Sequence, residues 1–169
     1  MANGKVLVVM GSDSDFPVME GCFKMLNKFG VEFEADVASA HRTPERAHEL
    51  AATAEEKGFK VIIAAAGLAA HLAGVLAAST TLPVIGVPCK GGALNGVDAL
   101  YATVQMPTGI PVATVAIDGG SNAAILACQI LALSDAELSQ ALKDYKQSLA
   151  SSVAERDARL KQKIAEMEK

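Results

Sequence analysis

Short apolar runs rich in β-branched residues alternate along this chain with longer stretches in which apolar residues recur at helical spacing, and that alternation constrains the fold more than any other feature. Runs at 5–10, 31–37, 61–65, 84–87 and 112–117 have the length and composition of strands. The segments between them suit crossover helices rather than hairpin turns, so consecutive strands should lie parallel. All but the second run are apolar throughout, as a strand must be when helices cover both faces of its sheet. The chain therefore reads as α/β, an open, doubly wound parallel sheet. The common small version has strand order 2-1-3-4-5 and places its ligand beyond the carboxyl ends of the strands, beside the first and third.

Local signals mark the helices. Asp15 is a good N-cap, with Pro17 tolerated in the first turn because early N–H groups have no intrahelical partner. Thr43 followed by Pro44 marks a second start, and Gly30 and Gly58 are placed to end these two helices. A third helix should follow Gly67, a fourth begin near Val97 and a fifth run over 122–133. The segment Ser134-Asp135-Ala136-Glu137 reads as a capping box that opens a last, long helix. There Leu138, Leu142, Tyr145, Leu149, Val153, Leu160, Ile164 and Met167 form one apolar stripe on a charged rod, which predicts an arm over 134–169 packed on a neighbouring subunit.

Composition narrows the function. The 169 residues are 51% apolar, enough for one well-buried domain and too few for two ordinary ones. That much apolar surface on so small a chain, with no Trp, predicts a homo-oligomer. A net charge of -4 with scattered basic residues gives no footprint for nucleic acid or an anionic membrane. Cys22, Cys89 and Cys128 fit neither a disulfide framework nor a paired metal-ligand spacing, so a reducing cytoplasm is expected. The start, Met1-Ala2-Asn3-Gly4-Lys5, runs into an apolar stretch too short for a signal-peptide core or a membrane span.

Three loops at the expected ligand edge carry the chemistry. Gly11-Ser12-Asp13-Ser14-Asp15 follows the first strand: small residues admit a ligand to the backbone, hydroxyls and a helix N-terminus suit phosphate, and a carboxylate suits ribose hydroxyls. Ala38-Ser39-Ala40-His41-Arg42-Thr43-Pro44 follows the second, where arginine offers a fork for phosphate and His41 supplies the residue type best suited to a proton shuttle. The third, from Ala64 through Gly67 to Ala70, His71 and Leu72, has almost no side chains, so backbone amides can line a pocket and a flat ring can approach the main chain. Taken singly, each loop also reads as ordinary structure: a turn with an N-cap, a surface histidine, tight packing. His71 in an apolar helix start is more often a satisfied buried histidine, and His48, inside the second helix, reads as structural. Convergence of all three loops on neighbouring strands favours the functional reading. A fourth segment, 89–96, is glycine-rich and placed to close over a ligand.

The motifs Met10-Gly11-Ser12-Asp13-Ser14-Asp15, Ser39-Ala40-His41-Arg42-Thr43-Pro44, Ala69-Ala70-His71-Leu72, Leu82-Pro83-Val84-Ile85-Gly86-Val87-Pro88 and Val104-Gln105-Met106-Pro107, in that order, resemble the family of the phosphoribosylaminoimidazole carboxylase catalytic subunit, whose bacterial members are N5-carboxyaminoimidazole ribonucleotide mutases. The resemblance implies a flavodoxin-like three-layer domain over 1–169, assembled as an octamer in the cytoplasm and acting in purine biosynthesis without metal or organic cofactor. It implies that Ser12, Asp15 and Arg42 bind the ribose and phosphate of a small ribonucleotide, with Ser39 and Ser14 nearby. His41 would be the proton carrier, and the Gly67, Ala70, His71 and Leu72 stretch would hold the imidazole and its carboxylate. The implied reaction loses carbon dioxide from an N-carboxylate, traps it while ring carbon C4 attacks, and removes the C4 proton through His41.

This chain departs from the family pattern at Leu68, where a second glycine is usual, at Ala73, where proline is usual, and at Gly91-Gly92, where small polar residues are common. A direct carboxylase of the same family is the nearest alternative, but that branch tends to carry lysine after the histidine, where this chain has Arg42. A receiver module would need an aspartate ending the third strand, where Ala64-Ala65-Ala66 stands; a flavodoxin would need rim aromatics; a nicotinamide dehydrogenase would need Gly-x-Gly-x-x-Gly. A catalytically silent ribonucleotide-binding protein is the alternative of another class.

Overall fold

A computed structural model describes residues 4–167. Met1 to Asn3, on which the expectation about the chain's start partly rests, and the last two residues of the expected arm lie outside the described residues. Five parallel strands, β1 (Lys5–Met10), β2 (Glu32–Val37), β3 (Phe59–Gly67), β4 (Val84–Cys89) and β5 (Ala113–Thr114), form one sheet of order β2-β1-β3-β4-β5, as the alternation predicts. Helices α1 (Phe16–Lys28), α2 (Pro44–Ala52), α3 (Leu72–Ala77), α4 (Val97–Val104), α5 (Gly120–Leu131) and α6 (Ala136–Met167) complete the fold.

Alternate residues of a strand face opposite sides, and here both sides are covered. Val6, Val8 and Met10 of β1 join Val61 and Ile63 of β3 in a core with Met19 and Cys22 of α1 and Ala124 and Cys128 of α5. Leu7 and Val9 join Ile62 and Ala64 in a second core under α2 and α3, with Ala47, Leu50, Leu72 and Leu76. Strand β2 is the exception in sequence because it is the edge: its exposed residues outnumber its half-buried ones, and Glu34 takes an ion pair from Lys5 at 2.7 Å across the β1–β2 ladder.

Several boundaries differ from the sequence reading, each for a local reason. The fifth strand, expected over 112–117, pairs only at Ala113 and Thr114 with Ile85 and Gly86. Pro88 on β4 has no N–H to continue the ladder, so the neighbouring segment follows by single irregular bonds, from Val115 N to Gly86 O at 3.0 Å and from Asp118 N to Pro88 O at 2.9 Å. Asp15 does not cap α1 with its side chain. Instead a 3-10 turn, Asp13–Asp15, precedes the helix, and its reciprocal box uses Ser12 as the cap and Asp15 as the returning acceptor. Thr43 precedes Pro44 as expected, but its hydroxyl turns back to the preceding loop rather than capping α2. Gly30, at φ +66, does end α1, whereas Gly58, at φ +85, lies beyond the turns that follow α2 and shapes the entry to β3. The α6 cap is made by Asp135, whose Oδ1 accepts from Leu138 N at 2.9 Å, while the Ser134 hydroxyl donates back to Leu131 O. Helix α5 starts at Gly120, two residues ahead of the expected Asn122, and ends at Leu131 rather than 133.

The last helix is docked only at its beginning. Leu138 is buried, Leu142 packs on the first core, and Tyr145 meets the Phe29 ring edge-on at 5.4 Å with the Lys28 ammonium over its own ring. From Leu149 onward the stripe (Val153, Leu160, Ile164, Met167) stands exposed on a helix of 32 residues. At 1.5 Å per residue such a helix is about 48 Å long.

Candidate active site

The carboxyl ends of β1, β2, β3 and β4 open into one cleft of about 600 Å³, at the switch point between β1 and β3 where the topology predicts a ligand. Ser12, Ser14 and Asp15 line it from the loop after β1, Ser39, His41 and Arg42 from the loop after β2, and Gly67, His71 and Leu72 from the loop after β3. Ala70 is the one expected site residue that the cleft does not reach: it is buried, and its N–H donates to Leu68 O at 2.9 Å. Leu68 and Ala69, within the expected stretch from Gly67 to Leu72, line the cleft too, and so do Gly11, Ala40, Ala66, Lys90, Gly91 and Gly92, which lie outside the expected binding set. The glycine-rich composition of 89–96 is the sequence signal for the last three.

The first loop is fixed by its own hydrogen bonds. Ser12 Oγ accepts from Ser14 N at 3.3 Å and from Ser14 Oγ at 2.9 Å, while Ser12 N donates to Asp15 Oδ2 at 3.1 Å. Partial burial is the largest influence on Asp15 and raises its carboxyl above the usual aspartate value; the Ser12 N–H opposes this and the neighbouring Asp13 charge adds to it. The result is a half-buried carboxylate directed by the chain, flanked by two hydroxyls.

The second loop is a tight knot around Ser39. Ser39 N donates to Thr43 Oγ1 at 2.9 Å, Thr43 N donates to Ser39 O at 2.9 Å, and Ser39 Oγ accepts from Arg42 N at 3.2 Å and Arg42 Nε at 3.4 Å. The serine thereby orients the guanidinium by its Nε, and among the described residues no carboxylate forms an ion pair with Arg42. Arg42, Ser39, Ser12 and Gly11 also border an adjoining recess of about 390 Å³ with Asp13, Val37 and Thr43. An oriented, uncompensated guanidinium beside hydroxyls is suited to an anionic group.

His41 and His71 meet across the cleft, Nε2 of the first 2.9 Å from Nδ1 of the second, with ring planes 74° apart. His71 is thus an exposed partner of His41 rather than a buried filler. One ring nitrogen of the contact donates and the other accepts, so a neutral pair has two tautomers. His48 takes the structural role expected of it: its Nδ1 lies 2.9 Å from Ser79 Oγ, whose hydroxyl donates to Val75 O, tying α2 to α3.

Cys89 stands at the end of β4 next to this cleft, but burial, followed by the charges of Asp15 and Asp118, pushes its thiol up to about 12, which makes it a poor nucleophile. Cys22 and Cys128 are likewise buried with thiols pushed up to about 12. Lys90 enters the rim with its N–H bonded to Asp118 Oδ1 at 2.7 Å. Among the described residues no cluster of three or more His, Cys, Asp or Glu is arranged to hold a metal ion, and no helix is long and apolar enough to cross a membrane.

The model of the AIR carboxylase family matches residues 5–152. An N5-carboxyaminoimidazole ribonucleotide mutase from Pyrococcus abyssi is 60% identical over 145 residues, covering 86% of this chain and 83% of that one. A phosphoribosylaminoimidazole carboxylase from Candida albicans is 53% identical over 146 residues, which span 86% of this chain but only 26% of that longer protein. Among solved structures, PurE of Treponema denticola superposes with a TM-score of 0.83 at 32% identity, over 92% of this chain and 97% of that one.

Proposed function

Because the chain belongs to the AIR carboxylase family, we propose that it is an N5-carboxyaminoimidazole ribonucleotide mutase, an isomerase that moves the carboxyl group from the exocyclic nitrogen to ring carbon C4 in purine biosynthesis. The observation that carries this reading is the convergence, in one cleft, of an oriented arginine, serine hydroxyls and a contacting histidine pair. That is the layout a phosphorylated substrate with one proton to be moved requires.

In this reading the phosphate sits on Arg42, Ser39 and Ser12, with Ser14 adjacent, and Asp15 accepts from the ribose hydroxyls. The imidazole lies against the side-chain-poor wall from Gly67 to Leu72, with His71 at its edge. Ala70 acts from behind that wall, through the turn it holds. Cleavage of the N–C bond releases carbon dioxide, and the nitrogen takes a proton. Carbon C4 then attacks the trapped carbon dioxide, and the C4 proton leaves as the ring regains its aromatic character. One proton is delivered and one recovered, so a single carrier closes the cycle. With Nε2 engaged by His71, His41 Nδ1 carries a proton in one tautomer of the pair and a lone pair in the other, which serves acid and then base.

The remaining expectations belong to the same proposal. The whole chain, 1–169, acts as one domain with 134–169 as its arm; eight copies assemble in the cytoplasm, where free thiols persist; the substrate is a small ribonucleotide, and no cofactor takes part. The exposed stripe Leu149, Val153, Leu160 and Ile164 on α6 supports an assembly, as does the exposed face of Val97, Tyr101 and Val104 on α4.

A direct carboxylase is the second reading, favoured by the printed name of the Candida relative. The two are separated by turnover of N5-carboxyaminoimidazole ribonucleotide without added bicarbonate against turnover of aminoimidazole ribonucleotide with excess bicarbonate. The mutase converts the first efficiently; activity with the second alone would make it a carboxylase, and activity with neither would leave a nucleotide-binding protein.

A further inference from the structure

Leu68, the first residue past β3, holds a conformation that its neighbours do not explain. Its φ is +54, in the left-handed region where a β-carbon is strained and glycine is the usual occupant. A buried side chain could offset that strain through the core, but Leu68 is 55% exposed. Its carbonyl is fixed by the N–H of Ala70 at 2.9 Å, so the backbone is held in this turn.

The side chain instead reaches the loop after β4. Leu68 lines the cleft from the loop after β3, and Gly91 and Gly92 line it from the loop after β4. A β-carbon built on Gly92 would stand 2.6 Å from Leu68 Cδ2, closer than carbon atoms pack, so the isobutyl group occupies the place where a side chain at 92 would go. Gly92 itself sits at φ +58. An apolar bridge thus joins two loops across the site, seated in a gap that only glycine leaves open.

We propose that Leu68, seated on Gly92, is the wall that retains carbon dioxide in the cleft, and that it sets how often the intermediate recarboxylates rather than dissociates. The inference rests on the mutase reading. Once the N–C bond of the carbamate breaks, carbon dioxide carries no net charge or dipole by which a polar site could hold it, so only shape and the exclusion of water keep it beside C4. A methyl-tipped side chain over the gap between the β3 and β4 loops supplies both. This makes Leu68 a residue that determines product partition, one that contributes no acid, base or hydrogen bond.

The test is product partition with the full-length enzyme and N5-carboxyaminoimidazole ribonucleotide as substrate. Released aminoimidazole ribonucleotide is measured against carboxylated product after subtraction of an enzyme-free blank. Leu68→Gly is expected to raise that ratio roughly tenfold, the scale on which one hydrophobic wall discriminates among small ligands. Glycine suits φ +54, so the variant should fold, checked by an unchanged thermal midpoint. Leu68→Met, which restores an unbranched apolar group, should bring the ratio back toward wild type. Gly92→Ala, which pushes Cδ2 out of its seat, should raise it. A folded Leu68→Gly enzyme with the wild-type ratio would overturn the proposal, and an unchanged ratio in Gly92→Ala would overturn the role of the seat. Failure of the wild type to convert the substrate at all would instead sink the mutase reading.

Discussion

Arg42 is oriented through its Nε and left without a carboxylate partner among the described residues, so its charge is available to a ligand. Arg42→Ala should therefore raise KM by at least tenfold, about 1.4 kcal/mol, since hydrogen bonds to charged groups contribute about 1.5–3 kcal/mol. Steady-state kinetics check this; a KM within twofold of wild type would remove Arg42 from the phosphate site. Asp15 gives a pH prediction with a defined sign. Its folded-state pKa lies above the ordinary value of 3.8. Between the two values the native chain therefore holds more proton than the unfolded one, and its contribution to stability falls as pH rises through that window. Asp15→Asn keeps an acceptor for Ser12 N and removes the titration. The wild-type thermal midpoint, measured from pH 4 to 6, should fall relative to the variant as pH rises; parallel curves would contradict the account.

Among the elements, β4 shows how close packing places the site. A β-carbon on Gly86 would overlap Thr103 Cγ2 of α4 and stand 3.0 Å from Val112 Cγ1, so α4 and the segment before β5 rest directly on this strand. Gly86→Ala is expected to destabilise by about 1–3 kcal/mol, the usual cost of overpacking a core, read as a lower midpoint in urea with an unchanged slope. The elements themselves were largely legible in the sequence. Apolar runs on β1, β3 and β4 and mixed polarity on β2 match their central and edge positions, and the order 2-1-3-4-5 is that of the common small doubly wound sheet. The shortness of β5 was not legible from its own residues, because it depends on Pro88 of the strand beside it. Asp15 stands at the N-cap position of α1 as expected but its side chain serves the preceding turn, and the α6 cap falls on Asp135, one residue past the expected Ser134, since neighbouring Ser and Asp side chains compete for the same N–H groups. In the site, the loops could be placed at the strand ends, whereas the 2.9 Å contact between His41 and His71 joins residues far apart in the chain and needed the fold to appear. Ala70 failed to reach the cleft for a similar reason: consecutive tight bonds, Ala70 N to Leu68 O and His71 N to Ala69 O, turn it inward.

At the scale of the whole molecule, the exposed part of α6 is the feature that a lone chain leaves unexplained. The first turns of the helix are anchored by Leu138, Leu142 and Tyr145, so the domain should fold without the rest. Deleting residues 150–169 should leave the midpoint of thermal unfolding of the domain nearly intact while lowering the mass in solution from that of the proposed octamer, as light scattering would show. An unchanged octamer would assign the contact to other faces. A histidine pair in a nucleotide cleft can bind without reacting unless it moves a proton, and this separates the mutase from a silent nucleotide binder. The direct measurement is turnover of N5-carboxyaminoimidazole ribonucleotide by His41→Asn, alongside binding of the nucleotide by calorimetry. Expected is a loss of about 10²–10⁴-fold in kcat, the range for a general acid or base, with affinity within a few-fold of wild type; full turnover by the variant would contradict His41 as the proton carrier.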